Sequence, residues 1–174
     1  TDWGRIAIGR QPLQWGAGVL WNDGNAVDAE YGDTADRVQV TGRIGPVFVM
    51  GAWDVQYEGF LGSADDMQAA SLAVGYRSET MGVGLLNNYR YRPEAPDNYQ
   101  AYTGDLWGFA ELGPVRAELE VVGVFGGGNL DTGANDVTIT AFGAMAKADY
   151  KAEKLSFGGE FGHVLTGDFG LEQV

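Results

Sequence analysis

The chain has 174 residues, of which 45% are hydrophobic and 20% are charged, a composition typical of one folded domain. Its 24 acidic and 11 basic residues give a net charge of −13, which would repel nucleic-acid phosphates and excludes nucleic acid as a partner. Cysteine is absent, so disulfides and thiolate metal sites are excluded. No apolar run is long enough for a membrane helix.

Nine runs alternate apolar and polar side chains with the period of two that is typical of half-buried β-strands. The second run is the clearest, because Val38 and Val40 alternate with Arg37 and Gln39. Helical periodicity is absent throughout, so the pattern predicts an all-β chain with a single domain over residues 1–174. In chain order, the predicted strands cover residues 3–10, 37–44, 47–58, 70–77, 81–91, 99–112, 115–125, 137–150 and 155–164.

The connections between these runs alternate strictly between short and long. The short ones are Gly45-Pro46, Glu79-Thr80, Gly113-Pro114 and residues 151–154, and the long, acidic ones are residues 15–36, 59–68, 92–98, 126–136 and those after Val164. Gly followed by Pro suits a two-residue type II′ turn, in which the first central residue needs a positive φ. Short turns at one end of a sheet and long loops at the other indicate an antiparallel up-and-down transmembrane β-barrel.

Alternation alone does not separate a membrane barrel from a soluble β-barrel, whose strands also have one apolar face. Two further features favour the membrane. Charges such as Asp54, Arg77 and Asp105 lie deep within strands, where a water-filled lumen would hydrate them. Aromatic side chains gather near the long loops, as in an interfacial girdle: Tyr57, Phe60, Tyr89, Tyr91, Tyr99, Tyr102 and Phe125.

The number of strands indicates that more of the barrel lies outside this sequence. Bacterial single-chain barrels have an even number of strands, and the nine predicted here therefore suggest part of a larger barrel of about 12 to 18 strands. The chain starts with Thr1 rather than Met and shows no signal peptide, which also suggests a processed or partial chain.

A short motif resembles a known class of proteins. The first predicted strand ends in the run Gly9-Arg10-Gln11-Pro12-Leu13-Gln14-Trp15-Gly16-Ala17-Gly18, and the last ends in Thr166-Gly167-Asp168. Both segments resemble the strand ends of Gram-negative outer-membrane porin-like β-barrels. The resemblance implies an outer-membrane location and passive transport, and it assigns neither binding residues nor a substrate-specific subfamily.

Charged residues on the polar faces are the candidates for the lining of a lumen. They could form a transverse field that sorts solutes, or a salt-bridged wall without selectivity. The predicted lumen-lining residues are Arg37, Arg43, Asp54, Glu58, Arg77, Arg90, Asp105, Arg116, Glu118, Glu120 and Glu160.

Other candidate sites are weaker. The loop residues Asp23, Asp28 and Glu30 carry oxygen ligands that Ca²⁺ prefers, but their spacing is not that of an EF-hand, and acidic surface loops usually only hydrate. The single histidine, His163, is expected at a barrel rim, because no nucleophile motif accompanies it. We expect no catalytic residues, no resident metal and no cofactor.

The leading expectation is therefore an outer-membrane barrel that lets small hydrophilic solutes diffuse passively. Two alternatives remain: a structural or scaffold barrel that binds envelope partners, and a soluble β-barrel that binds an apolar ligand. The expected partners are outer-membrane lipid and lipopolysaccharide, small hydrophilic solutes, and either further copies of the chain or other envelope proteins.

Overall fold

The computed structural model describes residues 4–25, 32–57, 67–92, 98–129, 136–153 and 155–166. The strands are β1 (Gly4–Pro12), β2 (Thr34–Ile44), β3 (Val47–Tyr57), β4 (Met67–Arg77), β5 (Met81–Arg92), β6 (Asn98–Leu112), β7 (Val115–Asn129), β8 (Asp136–Ala152) and β9 (Leu155–Thr166). They form one nine-stranded antiparallel sheet, in which each strand pairs with its neighbours in sequence. The predicted all-β, up-and-down architecture is confirmed. Among the described residues, no helix is long and apolar enough to cross a membrane.

The short connections are tight turns. Gly45 and Gly113 have φ values of 58° and 62°, as the Gly-Pro turns require. These turns fix the register on both sides, so that Ile44 lies opposite Val47 and Leu112 lies opposite Val115.

Several strands extend further into the predicted loops than expected. The sequence predicts a loop over residues 126–136, but the glycine run there continues β7, where Gly127 pairs with Gln100 on one side and with Thr138 on the other. β2 likewise begins at Thr34 rather than Arg37. Pairing with neighbouring strands explains the difference, because it stabilises extended backbone in residues whose own preference is for turns. Gly127 has partners on both flanks, and Thr34 lies opposite Pro12 of β1.

The two faces of the sheet differ in polarity. One face carries large hydrophobic side chains that are exposed along every strand, including Ile44 at 80%, Leu112 at 71% and Phe161 at 72%. The opposite face, called here the polar face, carries the charged residues of the alternating pattern. β1 and β9 form the edges and do not pair with each other within the described residues, so the described sheet is not closed.

Candidate functional site

Residues 13–25 leave the end of β1 and fold back across the polar face. We call them the inward segment. Leu13, Trp15 and Trp21 are buried against the sheet, in a cluster with side chains from β2, β4, β5 and β6: Ala35, Ala73, Leu86, Trp107 and Phe109. This is the only buried hydrophobic cluster that the described residues form, and the segment supplies its largest side chains along with Trp107.

The tip of the inward segment is held by one carboxylate. Glu120 on β7 is 0% exposed. Its Oε2 accepts the N–H groups of Ala17 and Gly18 at 2.5 and 3.0 Å, and its Oε1 accepts those of Val19 and Leu20 at 3.1 and 3.2 Å. Four successive N–H groups around one anion form a nest, a backbone shape that binds negative charge. The segment therefore supplies the hydrogen-bond donors for a buried carboxylate of the sheet.

Trp15 is the second anchor. Its Nε1 donates to Asp105 Oδ1 on β6 at 2.9 Å, and its ring meets Phe48 and Trp107 edge-on with centroids 6.2 Å away. The backbone of Gly84 on β5 lies directly beneath the indole, since a Cβ there would come within 2.9 Å of Trp15 Cη2. The shape of the polar face is thus fitted to this ring.

Trp21 covers a buried ion pair. Arg37 on β2 binds Asp54 on β3 through two contacts, Nε to Oδ1 at 2.5 Å and Nη2 to Oδ2 at 2.7 Å. The guanidinium carbon lies 4.6 Å from the centroid of the Trp21 ring. Bidentate geometry and the stacked ring together satisfy a pair of charges that would be costly to bury separately.

The base of the inward segment is closed by backbone contacts with Asp33. Leu13 N–H donates to Asp33 O at 2.8 Å, and Asp33 N–H donates to Asn22 O at 2.6 Å. Near this base, hydrogen bonds from Asn25, including its backbone N–H at 2.9 Å from Oδ1, hold the pKa of the Asp23 carboxyl below its usual value. The inward segment is therefore a loop whose two ends are joined by hydrogen bonds.

The polar face curls around the inward segment. Trp21 stacks on Arg37 of β2, whereas Val19, two residues earlier, lies over Gly143 of β8, where a Cβ would be 3.5 Å from Val19 Cγ1. On a flat sheet, β2 and β8 would lie about 29 Å apart, six strand spacings of about 4.8 Å. Residues two positions apart are separated by only about 7 Å. The strands must therefore bend toward the segment, with the polar face on the inside.

The described candidate residues all lie on the polar face. Residues that lie directly opposite each other on neighbouring strands point to the same face. One row of such residues runs from Arg37 and Asp54 through Ala69 to Arg90. A second row runs from Arg77 through Gly82 and Phe109 to Glu118, Lys147 and Glu160. Arg43, Asp105, Arg116 and Glu120 fall on it by the same alternation. Glu58 lies outside the described residues. That these side chains line a lumen stays a prediction.

Their contacts differ from a ladder of opposed charges. Arg116 on β7 binds Glu111 of the neighbouring strand β6 at 3.0 Å and Glu118 of its own strand at 3.4 Å. Glu120 and Asp105 bind the inward segment rather than cations. Arg77 has no carboxylate partner among the described residues and lies over aromatic rings. The arginines therefore do not form one ladder opposite the acids.

The sequence pattern predicts a long acidic loop over residues 15–36, which is wrong for residues 15–25, because Trp15 and Trp21 are buried against the sheet. The available signal was the concentration of apolar residues, Leu13, Trp15, Leu20 and Trp21, which hydration of a loop does not explain.

Asp28 and Glu30, the other proposed calcium ligands, lie outside the described residues. Within the described ranges, no three His, Cys, Asp or Glu side chains are grouped to hold a metal ion. His163 is exposed on β9, opposite Ala144.

Comparisons with known proteins identify no relative: no family model, no curated protein and no solved structure matches the chain.

Proposed function

We propose that this chain forms the wall of an outer-membrane β-barrel through which small hydrophilic solutes diffuse passively, along a path narrowed by the inward segment. The observation that carries the proposal is the inverted polarity of the sheet. Its apolar face is uncovered, whereas its polar face curls around buried charges and the segment. Lipid is the solvent that suits such an outer face.

The energetics of the apolar face support this proposal. Removing one large aliphatic or aromatic side chain from water contributes about 1.5–3 kcal/mol. The exposed hydrophobic residues occur on every strand and form a surface far too continuous for a soluble monomer, from Ile8 on β1 through Leu72 on β4 to Phe161 on β9. In the proposal, lipid and the lipid part of lipopolysaccharide cover this face.

The ends of the strands add a second line of support. Near the long connections, Trp53, Tyr89, Tyr102 and Phe125 are exposed on the apolar face. Tyr89 and Tyr91 stack at 5.6 Å, and their hydroxyls donate to Gln100 at 3.1 Å and Gln68 at 2.8 Å. Rings with one apolar and one polar side suit the interface between lipid and water.

The soluble alternative fits less well. A soluble β-barrel that binds an apolar ligand encloses its apolar face and exposes its polar one. Here the polar face is the one that curls around buried groups, including Asp54 and Glu120 at 0% exposure. Enclosing the apolar face instead would expel the inward segment and break its contacts with Glu120 and Asp105.

A plugged scaffold barrel is the second candidate, and the inward segment favours it. The segment is anchored on β2, β6 and β7 by an ion-pair stack and by hydrogen bonds to two carboxylates. A segment held at so many points could close the path rather than narrow it. Such a barrel would act by binding envelope proteins or further copies of itself.

Planar-bilayer recordings test the proposal and separate the two candidates. The protein is folded in detergent, and its heat-modifiable migration on gels is used to verify a barrel. Discrete conductance steps are expected. If steps appear only after residues 13–25 are replaced by a short Gly-Ser linker, the barrel is plugged. If neither protein conducts, or if the chain is monodisperse in buffer without detergent, the proposal is wrong.

A further inference from the structure

A cavity lies beside the inward segment, toward the short turns. Its volume is about 240 Å³, smaller than the range of about 300–1,000 Å³ that is typical for drug-sized ligands. Its walls come from the segment and from β2, β3, β4 and β6: Gln14, Trp15, Gly16, Gln39, Thr41, Phe48, Met50, Arg77 and Trp107. A compact solute of about one ring fits this space.

Most polar groups in the cavity already have partners. Gln39 accepts from Arg37 at 3.2 Å and donates to Thr41 at 3.1 Å. Gln14 accepts from Asp23 N–H at 3.1 Å and donates to Gly16 O at 3.2 Å. These amides hold the walls in place and do not compete for a ligand.

Arg77 is the exception. Its guanidinium carbon lies 5.7 Å from the ring centroids of both Trp107 and Phe109, and among the described residues it contacts no carboxylate. A guanidinium has five N–H donors in a planar fork that matches a carboxylate. The rings lie beside this fork and accept none of its N–H groups in hydrogen bonds. Arg77 is thus an exposed cation with donors that no described protein acceptor occupies, beside an aromatic and aliphatic wall.

The surrounding carboxylates do not cancel this charge. Glu118 accepts from Trp107 Nε1 at 2.6 Å and contacts Arg116 at 3.4 Å, and Glu120 is enclosed by the N–H groups of the inward segment. The net charge of −13 would otherwise repel anions from this protein. A local cation whose neighbouring acids are occupied by other donors is what a site for an anion needs.

We infer that this cavity binds small monocarboxylates with a flat or apolar body, the carboxylate on Arg77 and the body against Trp15, Phe48 and Trp107. The inference deepens the proposed function, on which it rests for the route by which a solute reaches the cavity. It names a solute class that would pause at the inward segment during passage.

Isothermal titration calorimetry on the detergent-folded chain tests the site with benzoate and with benzamide, its neutral analogue. Benzoate is expected to bind about tenfold more tightly than benzamide. This factor corresponds to the lower end of the free energy of a hydrogen bond to a charged group, because Arg77 is partly solvated. Arg77→Gln should remove this preference, and Arg77→Lys should keep part of it. Lys151→Gln, which removes one exposed positive charge outside the cavity, should keep it fully.

Equal affinity for the two probes, no binding of benzoate, or an unchanged preference in Arg77→Gln would overturn the inference. Bilayer recordings keep this result apart from the proposed function. A chain that conducts but does not prefer benzoate lacks the site alone. A chain that prefers benzoate but never conducts retains the site and lacks the diffusion path.

Discussion

Replacing Glu120 with glutamine should release the inward segment while leaving the sheet intact. The carboxylate accepts four N–H groups, two on each oxygen. Glutamine keeps one acceptor oxygen and turns an amino group toward the other two donors. Those two N–H groups then lose their acceptor inside a buried site.

The magnitude follows from the two lost contacts. Hydrogen bonds to a charged group contribute about 1.5–3 kcal/mol each, so the loss is about 3–6 kcal/mol before correction. Burying a neutral amide instead of a carboxylate recovers part of it, which leaves about 2–4 kcal/mol. At about 1.4 kcal/mol per factor of ten, the detached state becomes roughly 30- to 700-fold more populated.

Hydrogen exchange followed by mass spectrometry measures this population directly. The amides of residues 17–20 should exchange faster in Glu120→Gln by that factor, while amides in β4 and β5 stay protected. The matched control is Glu111→Gln, because Glu111 is exposed and its carboxylate binds, among the described side chains, only Arg116, a contact worth about 1 kcal/mol or less.

Unchanged protection of residues 17–20 in folded Glu120→Gln would refute the reasoning. If that variant does not fold, Gly16→Ala provides the second test. Gly16 has a φ of 53°, and a Cβ there would lie 2.5 Å from Glu120 Oε2. This substitution disturbs the same contact from the segment, and its Cβ would also lie 2.8 Å from Trp107 Cδ1 on β6.

Three further changes probe the other parts of the site and the wall. Trp15→Phe removes the donor to Asp105 and should lower the free energy of unfolding by about 1–3 kcal/mol in urea titrations, and no loss would show that this contact is not formed. Gly84→Ala pushes a methyl group against Trp15 and should cost about 1–3 kcal/mol, whereas Gly51→Ala, with open space around its Cβ, should not; equal effects would contradict the packing described. Leu72→Arg places a charge on the apolar face and should lower the stability of the protein folded in lipid vesicles by about 2–4 kcal/mol, and full stability there would argue against a lipid-facing surface.

The sequence predicts most of the sheet, including the two faces and the register across the short turns. Alternation in β2 and β3 separates the faces, and the Gly45-Pro46 turn sets Ile44 opposite Val47. Counting outward from that turn brings Arg37 opposite Asp54, so the pairing of these two charges follows from sequence and turn geometry, whereas its cover by Trp21 does not. Local rules suffice wherever a short turn connects the partners.

Those local rules do not predict the inward segment. In the sequence, Glu120 looks like any other acidic residue of the polar face. Its partners are backbone N–H groups about a hundred positions away, as in the contact with Leu20. Backbone groups carry no signature of residue type, so no pattern points to them. The resemblance at residues 9–18 drew attention to Trp15 as a loop start, whereas its indole lies in the buried cluster.

The way the inward segment is held suggests that it can leave without unfolding the wall. The strands are joined by backbone ladders that do not involve residues 13–25. Some of the groups that the segment covers, Arg37, Glu120 and Asp105, are charged or polar, and water entering behind it would hydrate them. The apolar side chains of the buried cluster, such as Leu86 and Trp107, would lose their contacts with the segment. Its detachment therefore costs the contacts of one loop, a local free energy well below that of the whole sheet. In the proposed barrel, the wall sets where the path runs, and the strength of the Glu120 and Trp15 contacts sets how often it is open.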